Sequence, residues 1–237
     1  MTNRLAQISS EPQLEELLAA PYKATIEMMK RLEGDIVILG VGGKVGPSLA
    51  RTAVNACRAA GVKKRVIGVA RFSEPGIRDL LEKSGVETIA CDLLDRESLT
   101  SLPQVENVIF MAGRKFGSVG SESLTWMMNV IVPENVCRHF ANSRIVSFST
   151  GCVYALAAAP GGGSRESDGP APVGEYANSC LGRERVFDYY SETHGTRVLH
   201  FRLNYAVDLR YGVLVDVAQR VYEGIPVDLN VSWANVI

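Results

Sequence analysis

Short, wholly apolar stretches alternate with amphipathic ones along this chain. Ile36–Leu39 (IVIL), Arg65–Ala70 (RVIGVA), Asn107–Ala112 (NVIFMA), Ile145–Ser149 and Arg197–Asn204 are rich in Val and Ile and too short for buried helices, so they predict strands. Glu87–Ala90 is a shorter strand of the same kind. Pro47–Ala60, Gly76–Lys83, Glu122–Phe140, Tyr176–His194 and Val213–Tyr222 read as helices between them. Pro133 falls inside the Glu122–Phe140 helix and should kink or interrupt it, because proline lacks the N–H that a helix interior needs. Strands without polar alternation, each followed by a helix, predict a parallel sheet covered on both faces, a doubly wound α/β fold.

The two ends depart from this rhythm. Residues 1–34 precede the first strand and form an N-terminal helical extension in two pieces. Ser10 with Gln13 makes a capping box and Pro12 suits an early helical position. Leu14, Leu17 and Leu18 line one face; Ile26, Met28, Met29 and Leu32 continue it beyond Pro21, up to Gly34. The extension is either a dimer or lid element or a helix pair packed on the sheet edge. Residues 35–237 form the main domain, with a substrate-binding region beginning after about residue 205. Ala234–Ile237 reads as a further strand, so the C-terminal substrate region is expected to be incomplete.

The first strand stops at Gly40, and Gly42, Gly43 and Gly46 follow before the helix. Strand, glycine turn and helix in that order make a phosphate cradle. The glycines allow close backbone approach, and the first free N–H groups of the helix face a pyrophosphate. Val45 occupies the position where a strict G-x-G-x-x-G would need glycine; the fit is G-x-x-G-x-x-G on Gly40, Gly43 and Gly46, with Gly42, Lys44 and Val45 completing the turn.

Bulk properties narrow the function without naming it. The 237 residues are 46% hydrophobic and 22% charged, as in a globule with a sizeable core. A net charge of −1 gives no footprint for nucleic acid or an anionic membrane. No apolar run is long enough to span a bilayer. Cys57, Cys91, Cys137, Cys152 and Cys180 are scattered, never as C-x-x-C, and the histidines are scattered too. No metal site is readable, and the thiols suit a reducing, cytoplasmic setting.

Residues further along carry a family resemblance. Asp92-Leu93 follows the third strand, Ala112-Gly113 ends the fourth, and Asn129 sits in the next helix. Ser149-Thr150-Gly151-Cys152-Val153-Tyr154 is similar to S-S-x-x-V-Y-G, with Ala155 for the last glycine, and Tyr176 heads YANSCLGRERVF. From about Asp35 to Ile237 the chain resembles the NAD-dependent epimerase/dehydratase family, the extended branch of the short-chain dehydrogenase/reductases. The resemblance implies a Rossmann-like fold and a homodimer. It also implies a cofactor held by the glycine turn with Asp92, Leu93, Ala112, Gly113 and Asn129, and chemistry at Thr150 and Tyr176. Trp126, Met127 and Met128 are then candidates for a subunit interface or for core.

One residue departs from the family pattern. Position 180 is Cys180, where Y-x-x-x-K has lysine. A free phenol has a pKa of about 10, so lowering it to 7 needs roughly 4 kcal/mol of differential stabilisation. An ammonium one helical turn away supplies much of that, and a thiol supplies none. Three readings stay open. Another cation enters the site, with Lys115 or Arg114 first and Arg183, two turns along the helix, next. Alternatively Tyr176 works in its protonated form, or the chain binds a nucleotide without turnover as a sensor or scaffold.

The second strand ends in Ala70-Arg71-Phe72-Ser73, with no carboxylate before Glu74. Arg71 would pair with a 2′-phosphate and Ser73 could donate to it, so NADP is the expected cofactor, with NAD second. The expected substrate is sugar-like or a small hydroxy acid, reduced, epimerised or dehydrated by hydride transfer. Asn204 and Arg210 lie beyond the sixth strand, either on substrate or in a helix cap and a surface ion pair.

Overall fold

A computed structural model of the chain describes residues 8–115, 119–158 and 161–229. It contains a six-stranded sheet in the order β3-β2-β1-β4-β5-β6. The strands are β1 (Ile36–Leu39), β2 (Val66–Ala70), β3 (Glu87–Ala90), β4 (Asn107–Phe110), β5 (Arg144–Thr150) and β6 (Arg197–Leu203). Every neighbouring pair is parallel, and β1 lies between β2 and β4 with Ile36 level with both Val66 and Asn107. Strand order therefore reverses beside β1, which leaves a crevice at the C-terminal ends of β1 and β4 where the glycine turn begins.

Alternation within each strand splits the apolar runs into two cores. Val37, Leu39, Ile67, Val69, Val108, Phe110 and Ile145 meet Val136, Phe140, Phe187 and Tyr190 on one face. Ile36, Ile38 and Val66 meet Met29, Ala50, Ala53, Val54, Cys57 and Leu81 on the other. The helices responsible are α7 (Val132–His139) and α8 (Gly174–His194) on the first face. On the second they are α2 (Lys23–Arg31), α3 (Gly46–Ala60) and α4 (Ile77–Ser84), with the short α5 (Arg96–Thr100) on the first side. The expected doubly wound fold is the one observed.

Local details differ from the sequence reading. In the extension, α1 (Glu11–Leu18) is capped by Ser10, whose Oγ accepts from the Gln13 N–H at 3.4 Å. The Gln13 Oε1 accepts from the N–H of Ser9, at 2.8 Å, so the return bond of the expected box falls one residue upstream. The helix containing Pro133 is not broken. It runs as α6 (Glu122–Trp126), a π-helical turn (Met127–Ile131) and then α7, with Pro133 in the first turn of α7. The wider turn removes the demand for an N–H from Pro133. The expected strand at Ala234–Ile237 lies outside the described residues.

Two glycines fix the cradle. Gly40 has φ of 90°, and a Cβ there would sit 2.6 Å from the backbone nitrogen of Ala112. Gly46 opens α3 against the backbone of Val41, where a Cβ would lie 2.6 Å from its carbonyl carbon. Rigid backbone cannot yield as a side chain would. Gly46→Ala should therefore lower unfolding stability by about 1–3 kcal/mol in urea titration, whereas Gly162→Ala, in open space, should change it little.

Candidate active site

Two cavities meet at the C-terminal ends of the strands, sharing Gly40, Gly43, Met111 and Gly113. The first, about 250 Å³, is lined by Gly42, Arg71, Ser73, Glu74, Cys91, Asp92, Leu93, Ala112 and Met128 among others. The second, about 500 Å³, holds Lys44, Val45, Gly46, Arg114, Lys115, Thr150, Tyr176, Arg183 and Asn204. The structure thus brings nearly all of the sequence-predicted site residues onto one continuous crevice.

Glu74 is an addition: it shares the first cavity with Arg71 and Ser73 and supplies the carboxylate that the end of β2 lacks. Arg71 itself is exposed. Asn129 departs from its expected place. It is fully buried behind the crevice wall, and its oxygen accepts from the Arg114 N–H at 2.9 Å while its amide donates to the Arg114 carbonyl at 3.1 Å and to Ser179 at 2.9 Å. Its amide is spent on the loop after β4 and on α8 rather than on the cavity.

Helix α8 contributes Tyr176 and Arg183 to the lining of the second cavity. Tyr176, Cys180, Arg183, Glu184 and Phe187 follow the spacing of one inward face. Cys180 is fully buried, and its thiol is pushed upward by that burial against the pull of Arg183. The Tyr176 phenol is likewise held neutral, chiefly by burial and then by Cys180, with Arg183 opposing. Thr150 ends β5, and its Oγ1 accepts from the Cys152 N–H at 3.1 Å, opening a short 3-10 turn.

Arg183 is the residue whose position two turns along the helix misleads. Side chains on a helix lean toward its N-terminus, so a long one reaches back over the preceding turns. Its guanidinium is buried, donating to the Phe148 carbonyl at 2.7 Å and to Asn129 Oδ1 at 2.7 Å, over the ring of Phe110 at 5.5 Å. Gly113 leaves room for it: a Cβ there would overlap the guanidinium. Among the described residues no carboxylate pairs with Arg183. Lys115, the cation the sequence favoured, lies 4.8 Å over the ring of Tyr205.

Beside this lies a polar network the sequence did not reveal. Glu184, almost fully buried, accepts from Arg202 at 2.9 and 2.7 Å and from Ser149, while Arg202 donates to the Tyr154 hydroxyl at 2.6 Å. Burial pushes the Glu184 carboxyl up, but the bonds from Arg202 and Ser149 outweigh it and hold it below the ordinary range.

A strand, glycine turn and helix at the reversal point of a six-stranded parallel sheet define a Rossmann-like fold. The profile of the NAD dependent epimerase/dehydratase family matches residues 36–207, and the chain belongs to that family. No curated protein matches it significantly. Among solved structures, the dTDP-glucose 4,6-dehydratase of Streptomyces venezuelae, crystallised with NAD, superposes with a TM-score of 0.69 at 20% identity, covering 80% of this chain and 62% of that one. UDP-glucuronic acid 4-epimerase of Bacillus cereus, as a point mutant with NAD, gives 0.68 at 18% identity over 81% and 64%. UDP-glucose 4-epimerase of Thermus thermophilus, with NAD, gives 0.67 at 23% identity over 81% and 64%. This chain therefore spans less than two-thirds of the length of these relatives.

The Glu184–Arg202 pair yields a pH prediction. A carboxyl whose folded pKa is depressed contributes stability that is complete above its unfolded value, about 4.3, and fades as pH falls through the folded value. Glu184→Gln leaves Arg202 without its charge partner and should cost about 3–5 kcal/mol at neutral pH. In urea titrations the deficit relative to the native chain should shrink below about pH 4.

Proposed function

We propose that this chain is an enzyme that binds a nicotinamide dinucleotide along the crevice and acts on a hydroxylated, sugar-like substrate at Thr150 and Tyr176. The observation that carries this is the continuity of the two cavities: Gly40–Gly46 lies midway, Asp92 with Glu74 at one end, and Thr150 with Tyr176 at the other. The residues fit the group. A Cβ at Gly42 would meet Ala70, and the start of α3 offers free N–H groups to a pyrophosphate. The nicotinamide ring, when bound, supplies the hydride donor or acceptor.

NAD is the better reading of the cofactor, against the expectation of NADP. Glu74 and Asp92 give the adenosine end two carboxylates, which suit ribose hydroxyls and repel a 2′-phosphate, and the three relatives named above were crystallised with NAD. Arg71, in the same cavity, is the feature that would favour NADP. The relatives' names are those of enzymes of nucleotide sugars, which supports a sugar-like substrate over a hydroxy acid.

For the missing lysine, Arg183 is the cation. It sits among Phe148, Thr150 and Tyr176 in the second cavity, and its charge opposes the burial that keeps Tyr176 neutral. Thr150 would hydrogen-bond the reacting oxygen. Tyr176, protonated at rest, would donate its proton to that oxygen as hydride arrives, with the guanidinium stabilising the phenolate left behind. The second reading is a nucleotide-binding sensor or scaffold, and the buried neutral Cys180 at the lysine position is its support.

Titration by nicotinamide fluorescence should show NADH binding more tightly than NADPH, with Glu74→Ala narrowing the gap; a preference for NADPH abolished by Arg71→Ala would reverse the assignment. In a hydride-exchange assay over a nucleotide-sugar panel, Tyr176→Phe should lower turnover about 10²–10⁴-fold. Arg183→Met should match it to within about tenfold, and adding Cys180→Lys to that variant should restore most of the loss. Tight NADH binding with no exchange on any substrate would favour the sensor.

A further inference from the structure

The N-terminal helices reach the crevice through Arg210. Instead of facing the cavity, Arg210 is enclosed. Its Nη1 donates to Oε1 of Glu15 in α1, its Nη2 donates to Asp208 at 2.7 Å and reaches Ser48 Oγ at 3.4 Å, and its backbone N–H donates to Asp208 at 2.6 Å. The second oxygen of Glu15 accepts from Arg51 of α3 at 2.5 Å. Two carboxylates and two guanidinium groups thus form a neutral network.

Its seclusion sets it apart from ordinary surface pairs. The side chains of Arg51, Glu15, Asp208 and Arg210 are 14, 17, 12 and 23% exposed, against 47 and 49% for the Lys30–Glu27 pair. Salt and water screen such a network less than an exposed pair, and a bond between ionised partners in it carries more weight. Helix α1 is anchored to α3 separately: Asn55 donates to the Ala19 carbonyl at 3.0 Å, and Thr52 Oγ1, which donates to the Ser48 carbonyl at 2.8 Å, shares its proton with the Leu18 carbonyl at 3.3 Å.

The loop that Glu15 grips is a wall of the second cavity. Tyr211 follows Arg210, and its ring lies 4.8 Å from Lys44 Nζ on the glycine turn. Tyr211, Gly212 and Asp216 face the crevice with Lys44, Val45 and Gly46. A continuous path runs from α1 through Glu15, Arg210 and Tyr211 to the cradle, although Glu15 and Arg210 are 195 residues apart in sequence.

We propose that Glu15 is a positioning residue for the crevice: through Arg210 it holds the Asp208–Gly212 loop against the glycine turn, so that the N-terminal extension sets the affinity for the dinucleotide. The proposal rests on the reading of the crevice as a nicotinamide dinucleotide site. Its two halves, a held loop and a tuned site, are read by different measurements.

The full-length chain, Glu15→Gln, Arg210→Gln and the double variant would be compared by hydrogen–deuterium exchange without ligand and by NADH titration. Each single variant should speed exchange across residues 205–213 and weaken NADH by about tenfold, leaving α1 protected by its Thr52 and Asn55 anchors. The double variant should be no worse than Arg210→Gln alone, because Glu15 reaches the loop only through Arg210, whose bonds to Asp208 that variant also removes. Glu15→Asp, with a shorter reach, should fall between and guards against a variant that fails to fold. Unchanged exchange at 205–213, additive losses, or a uniform rise in exchange across the chain would overturn the clamp. If the native chain binds no NADH, the dinucleotide reading and the tuning fall together, while the exchange data still decide whether Glu15 holds the loop.

Discussion

A guanidinium placed where water does not reach must find oxygen acceptors or destabilise the fold, and Arg183 finds them for its two Nη atoms on two different elements, leaving Nε without one. It takes the carbonyl of Phe148 at the end of β5 and the amide oxygen of Asn129 in the π-helical turn, while Asn129 in turn grips both backbone polar groups of Arg114 after β4. Removing any one partner would strand a buried polar group, at a cost of about 1–3 kcal/mol or more for a charge. The knot therefore fixes where α8 sits against the two strand ends that border the crevice. Its positive charge also acts where Tyr176 and Cys180 are buried. Glu184, one residue further on, is occupied by Arg202, so the charge of Arg183 is not cancelled by its nearest acidic neighbour in sequence.

The polar content of the inner face of α8 follows from this arrangement. Tyr176, Cys180, Arg183 and Glu184 stand where a structural helix would carry leucine, and Phe187 and Tyr190, with Val186 partly buried beside them, anchor the apolar core at its C-terminal half. Gly182 lets the helix approach Val130 of the π-helical turn closely enough for Asn129 to reach Ser179 and Arg183. The same stretch thus carries local packing and lines the candidate site.

Sequence pattern was most informative where a single physical cause acts. Runs such as Ile36–Leu39 are apolar on both faces because both faces are covered, and the glycine turn is legible because Gly40 and Gly46 have steric reasons to be glycine. What escaped notice depends on contacts between distant segments. The reach of Arg183 needs the lean of its side chain and the missing Cβ of Gly113, neither of which spacing reveals. Glu74 enters the first cavity because the loop after β2 borders it together with Asp92, and Asn129 is drawn behind the wall by Arg114 and Arg183. The grip of Glu15 on Arg210 joins opposite ends of the chain, and only the folded geometry puts them together.

Everything proposed for the site requires one crevice to hold a dinucleotide with its phosphates on the amides of the turn at residues 40–46 and its nicotinamide beside Tyr176. A crystal structure of the chain soaked with NAD tests this most directly. The expected result is diphosphate density against Gly42, Gly43 and the start of α3, the adenine near Asp92 and Leu93, and the nicotinamide ring between Thr150 and the Tyr176 hydroxyl. A dinucleotide seated elsewhere, or a Tyr176 hydroxyl turned away from the ring, would contradict it.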